Sequence, residues 1–283
     1  MLYYGMIAGA VILFGLQFQL NSKYQKACGN TAAVSFLFSL IYSIAGGTFL
    51  LVLNRFEFGW TWFTFCMAMA AAANALMYTF CSLKAFEHIS LSLYSLFAML
   101  GGMLLPFFLG LVFFGEPLTV GKVLCVILIF LALVFTVTEV KIKEGWIYYV
   151  GVFFLNGMAG VLSKLYGEAA FEKNSSAVYS VWTAICTALI SGVILIFLRK
   201  RIVKPNRNAL LCAVGYGACN SLGNFLLVFA LTFVPASVQY PFVTGGVIIV
   251  SVLIATVRGQ RPTKREYIAT TISFVGLLLL MLC

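Results

Sequence analysis

The side chains in this sequence that could do chemistry are amides and phenols set inside long apolar runs. Gln17 and Gln19 lie in the first run, Asn74 and Tyr78 in the third, and Tyr94 in the fourth. Asn156 lies in the sixth, Asn220 and Asn224 in the eighth, and Gln239 and Tyr240 in the ninth. Such groups accept and donate hydrogen bonds but neither attack nor transfer protons readily at neutral pH, so they fit recognition of a solute. Catalysis has little to work with. The chain has no aspartate and a single histidine, His88, which leaves no nucleophile–base pair at depth and excludes aspartyl proteases, HExxH metalloenzymes and Walker-type ATP hydrolysis. Its eight cysteines are scattered singly with no CxxC or Cys/His spacing, so no metal or other cofactor is expected and the cysteines read as small buried hydrophobes.

What positions these side chains must be membrane-spanning helices. A chain of 283 residues that is 63% hydrophobic and 9% charged cannot cover a water-soluble globule with polar surface. Apolar runs between polar breaks predict ten spans, near 2–20, 31–53, 60–83, 89–114, 118–138, 145–165, 176–198, 208–231, 235–257 and 265–282. Met1 to Leu20 has no basic n-region or cleavage site and is expected to be retained as the first span. Tyr3, Tyr4, Trp60, Trp62, Trp146, Tyr148 and Tyr149 fall at span edges, where amphipathic rings settle at the headgroups. In lipid, a polar side chain at mid-span must face a partner helix or a watery cavity. That makes the list above a set of candidate solute-binding residues, each weighed against simple helix-to-helix hydrogen bonding.

The two halves repeat at a separation of 144 or 145 residues. Gly101–Gly102 answers Gly245–Gly246, Gly115 before Pro117 answers Gly259 before Pro262, and Thr119 answers Thr263. Ala85 and Ser92 meet Ala230 and Ser237, while Gly15 and Gly47 meet Gly160 and Gly192. Five spans is an odd number, so the second unit would lie upside down relative to the first, which gives an all-α integral membrane fold of two inverted five-helix repeats, 1–143 and 144–283. Gly101, Gly102, Pro106, Pro241, Gly245 and Gly246 weaken the fourth and ninth helices and are candidate hinges, with close helix packing as the alternative.

The segment from Ser90–Leu91–Ser92 through Pro106 to Gly115–Glu116–Pro117–Leu118–Thr119–Val120–Gly121 resembles the fourth-to-fifth-helix signature of the drug/metabolite transporter superfamily, EamA-like group. Its partner, Ala230–Leu231 through Val234–Pro235–Ala236–Ser237 to Gly259, is similar to that family's ninth helix, though the expected glutamate is Gln260 in the second copy. The resemblance implies a ten-span transporter in which spans four and nine line the pathway, which singles out Tyr94 and Tyr240. Small multidrug relatives use a first-helix glutamate for proton–cation exchange, whereas this chain reads Phe14–Gly15–Leu16–Gln17 there, so that mechanism is disfavoured.

The expected function is therefore transport of a small neutral or zwitterionic metabolite, such as an amino acid, by alternating access around a midplane cavity. An aromatic box for a quaternary ammonium compound such as choline is the alternative, and a flippase for lipid-linked substrates remains open. No span carries the polar stripe of a channel. Partners are the solute and the bilayer; the net charge of +10 sits in short loops, where it sets orientation rather than binding nucleic acid, and duplication within the chain makes a monomer sufficient. The expected location is the plasma membrane of a prokaryote. Fourteen of the 18 Lys and Arg residues lie in loops following odd-numbered spans, which places those loops in the cytoplasm and both termini outside; the resemblance implies the reverse. Lys164 and the pair Glu87–His88 are expected to snorkel to headgroups from span ends, and Glu116 to make a structural contact.

Overall fold

Apolar runs of this length leave the backbone no water to bond with, so each must close its own hydrogen bonds as a helix. The computed structural model describes residues 2–29, 31–86, 91–136, 146–199, 205–257 and 264–282, and among these the chain forms ten α-helices. They are α1 (Leu2–Cys28), α2 (Ala32–Leu53), α3 (Trp62–Phe86), α4 (Leu91–Phe113), α5 (Val120–Thr136), α6 (Trp146–Glu168), α7 (Ser176–Phe197), α8 (Arg207–Ala230), α9 (Ala236–Val257) and α10 (Lys264–Leu282). Stretches of seven of them, α1–α3 and α6–α9, are long and apolar enough to cross a bilayer, and α4, α5 and α10 contribute shorter apolar segments. Large apolar side chains such as Phe108, Val112, Leu189, Ile196 and Phe197 face outward, as they must when the solvent is lipid. The molecule is a multi-pass integral membrane protein.

Local signals set several helix ends. Thr31, Ser175 and Asn206 stand at N-cap positions and accept from the backbone N–H of Val34, Val178 and Ala209. The first helix runs to Cys28, well past the expected Leu20. The polar stretch from Asn21 to Lys26 does not break it; it ends at Gly29, whose φ of +83° suits glycine and whose N–H bonds back to Gln25 O at 2.8 Å.

The principal packings pair α1 with α8 and α9, α6 with α3 and α4, α2 with α7 and α8, α7 with α3, α4 with α9, α5 with α10, and α9 with α10. Exchanging every helix for the one five places along turns this set into itself apart from α9 with α10, whose counterpart, α4 with α5, is a much smaller contact. Two of the interfaces bring backbones almost into contact. At Gly101 a Cβ would strike the backbone of Phe153, and at Gly157 it would lie 2.6 Å from Gly101 O, so α4 and α6 touch main chain to main chain. Gly217 meets the backbone of Tyr42 in the same way across α2 and α8. Among the other candidate hinges, Gly102 faces Asn156, Gly245 faces Ile129 and Leu277, Gly246 faces Val11, and Pro106 and Pro241 lie inside α4 and α9.

The cysteines are more varied than the sequence suggests. Of the seven described, all free, Cys125 and Cys186 are buried, Cys66 is exposed and the others are half-buried; Cys283 lies outside the described residues.

Candidate solute-binding site

A cavity of about 320 Å³ lies between the helices, lined by residues of α1, α2, α3, α4, α6, α7, α8 and α9. Its lining reaches to within about five residues of the ends of α2 (Leu50), α6 (Ser163) and α8 (Val228) and of the starts of α7 (Tyr179) and α9 (Tyr240). Those ends gather on the face that holds the start of α1, where Tyr3 stacks on Phe233 at 4.1 Å and Thr61 meets Asn174 at 3.3 Å. Toward the opposite face the cavity stops on a floor of rings. Tyr42 and Tyr216 meet edge to face at 5.1 Å, with Phe38 behind both and Tyr24 behind Phe38. Gln17 Nε2 donates to Tyr216 Oη at 2.9 Å and ties this floor to α1. Beyond it is a smaller space of about 30 Å³ that shares Asn21, Tyr78, Thr79 and Tyr216 with the main cavity.

The repeat spacing gives this asymmetry a cause in the sequence. Counting 145 residues places Thr187 at the position corresponding to Tyr42 and Ala71 at the one corresponding to Tyr216. Both Thr187 and Ala71 line the cavity. The two floor rings thus correspond to the smaller side chains of Thr187 and Ala71.

Seven of the ten candidate binding residues line the cavity: Gln17, Asn74, Tyr78, Asn156, Asn220, Asn224 and Tyr240; Gln19 is not among the lining residues. Gln239 is fully buried and outside the lining, its Nε2 donating to Leu227 O at 3.1 Å. The Tyr94 side chain lies outside the described residues, as do Glu87, His88 and Gln260. Sequence reasoning missed Tyr42, Tyr179 and Tyr216, whose phenols were as visible within their apolar runs as that of Tyr78. It also passed over a set of lining hydroxyls, among them Ser43, Thr79, Ser163, Ser180, Thr183 and Thr187.

The orientation of several amides is settled by their partners. Asn74 Nδ2 bonds Leu155 O at 2.9 Å, Asn156 Nδ2 bonds Ala98 O at 2.6 Å, and Asn224 Nδ2 bonds Asn220 O at 2.8 Å. A backbone carbonyl can only accept, so in each case the NH₂ faces it and the side-chain oxygen is turned elsewhere. Tyr240 Oη likewise donates to Gly160 O at 2.9 Å, where glycine leaves room for the ring over the α6 backbone. Among the described residues, no Lys, Arg, His, Asp or Glu lines the cavity.

The charged groups sit beside it instead. Lys164, expected at a headgroup, is buried 3.0 Å from Glu116 and 2.9 Å from Glu168, and its ammonium lies 5.2 Å from the centre of the Phe114 ring. Glu116 also accepts from the N–H of Ala236 at 2.9 Å and of Ser237 at 2.8 Å, which caps α9 and places a negative charge at the positive end of its dipole. Burial raises the Glu116 carboxyl pKa, but the donors from Ser237, Lys164 and Ala236 outweigh it and hold it below the ordinary value. Lys173 closes the end of α6 by donating to the carbonyls of Tyr166, Gly167 and Ala169 at 2.6–3.0 Å.

A crystal structure of a protein superposes on this fold with a TM-score of 0.79, covering 96% of this chain and 94% of the other at 16% identity, a likeness that establishes the shared architecture alone. No curated protein matches the sequence. Residues 143–282 match the profile of the EamA-like transporter family. The second half of this chain of apolar spanning helices is thus that of an EamA-like transporter, within the drug/metabolite transporter superfamily.

Proposed function

We propose that this protein carries a small, non-anionic metabolite across the membrane by alternating access, using the cavity between two inverted five-helix repeats, 1–143 and 144–283. The observation that carries the reading is the cavity itself. It is large, lined by amides, hydroxyls and rings with no charged side chain among the described residues, and floored by rings toward one face. The helix packings that survive a five-place exchange support the repeats, since each half then contributes equivalent walls. Rocking of one repeat against the other would open the Tyr42–Tyr216 floor while closing the end near Tyr179 and Tyr240. The glycines and prolines of α4 and α9 are the proposed bending points, and one chain supplies both halves, so the working unit is a monomer in the plasma membrane.

Filling the cavity tests this. Ala75 lines it from α3, and Ala75→Trp should abolish solute uptake into proteoliposomes while leaving the melting transition of the purified protein in place. Uptake undiminished by that bulk would remove the cavity from the pathway.

A further inference from the structure

Polar side chains run past the floor of the cavity in two short stripes. On α1, Gln17, Asn21 and Gln25 follow one another at four-residue spacing and so share a helix face, and on α3 Asn74, Tyr78 and Ser82 do the same. Gln17 and Asn74 line the main cavity, Asn21 and Tyr78 line both it and the space of about 30 Å³ beyond the rings, and Gln25 and Ser82 line that space alone. Each stripe is three residues long, short of the continuous polar face a channel would need. The end of α1 is turned accordingly: Asn21 and Gln25 look onto the small space while Lys23 and Lys26 are exposed. A polar face turned inward in a membrane protein needs a partner or water, and a polar space of this size holds about two waters.

Between the two spaces stand the rings of Tyr42 and Tyr216, and the helices that carry them cannot easily part there. A Cβ on Gly217 would strike the Tyr42 backbone, and one on Gly46, a turn further along α2, would lie 2.6 Å from Gly217 O, so α2 and α8 touch main chain to main chain beside the floor. The repeats can pivot on such a contact, and the opening at the floor then falls to a side chain. Tyr42 lines the main cavity alone, whereas Tyr216 lines both spaces. Among the described residues, its hydroxyl is tied by Gln17 Nε2 at 2.9 Å.

We infer that the small space is the second half of the solute's route, a polar transit site for the same non-anionic solute, and that Tyr216 is the leaf between the halves, kept shut by Gln17. This rests on the carrier reading and deepens it: the repeats rock, and one ring clears the way. Gln17 is a positioning residue, acting on the solute through the ring it holds.

Cysteine labelling of the purified full-length protein with aminoethyl methanethiosulfonate tests this. Ser35 lines the small space from α2 and is buried; Ser39, one turn on, is also buried and lines neither space. Room for two waters does not admit the reagent, so a Ser35→Cys thiol reacts only when the ring withdraws. Ser35→Cys should be labelled, and Gln17→Met or Tyr216→Phe, each of which removes the tie and keeps a ring, should speed the labelling about fivefold, the worth of one hydrogen bond. Ser39→Cys should stay unlabelled in all three backgrounds, with peptide mass spectrometry separating the new thiols from the native cysteines. A Ser35→Cys thiol that never reacts, that reacts at a rate indifferent to both releasing variants, or that reacts no faster than Ser39→Cys would overturn the inference. This readout needs no solute and so stands apart from the Ala75→Trp test. In that uptake assay, labelled Ser35→Cys should be blocked. Uptake through the labelled protein, with Ala75→Trp still blocking, would leave the carrier reading standing and sink the transit site; if Ala75→Trp blocks nothing, both fall.

Discussion

Lys164 of α6 and Glu116 of the α4–α5 connection form an ion pair at 3.0 Å with side chains only 4% and 8% exposed, and the same carboxylate caps α9. Three segments distant in the sequence are thereby joined at one point beside the cavity. Removing one charge would leave its partner buried without compensation, which is the expensive way to break such a pair. Glu116→Gln is expected to destabilise the protein by about 3 kcal/mol. Adding Lys164→Met should recover much of that loss, and a double-mutant cycle read from melting in detergent measures the coupling. Additive effects would mean that the pair contributes nothing.

The same carboxylate sets an acid limit. Its folded pKa lies below the ordinary value of 4.5, so its stabilising contribution is complete above that pH and is lost as pH falls through the lower folded value. The melting temperature should therefore drop in this acid window, and Glu116→Gln should flatten that part of the profile. A variant with an unchanged acid slope would assign the drop to other carboxylates.

At Gly101 the neighbouring atoms belong to the Phe153 backbone, which cannot swing aside as a side chain can. Gly101→Ala is expected to cost about 1–3 kcal/mol by forcing α4 and α6 apart. Gly5→Ala in α1, where nothing lies within 4 Å, should be neutral or slightly stabilising through helix propensity. Thermal melting of the two variants makes the comparison, and equal effects would remove the backbone contact as the reason for glycine at Gly101.

Orientation divides two expectations. The basic loops that follow odd-numbered spans place the termini outside, and an impermeant label on a tag at either end should then react in intact cells. Labelling only after lysis would place the termini inside, as the family resemblance implies, and the Tyr42–Tyr216 floor would then lie toward the opposite side.

The spans were legible in the sequence because each follows from local composition. The cavity wall was legible only in part. Asn74, Asn156 and Asn220 announce themselves as amides in apolar runs, but Tyr42 and Tyr216 are interior rings whose meeting depends on α2 packing against α8 across more than half the chain. Lys164 misled for the same reason. Near the end of a span a lysine can reach the headgroups, and only the folded chain brings Glu116 close enough to hold it in the interior.

The unequal ends of the cavity carry a consequence for energetics at rest. If the two repeats exchange shapes during transport, the states open to either side would be equal in energy for perfectly matched halves. Tyr42 and Tyr216 facing Thr187 and Ala71 at corresponding positions break that equality with side-chain volume alone. An unladen carrier built this way waits predominantly in one direction, and exchanging the large and small residues between the repeats should reverse the direction in which it waits.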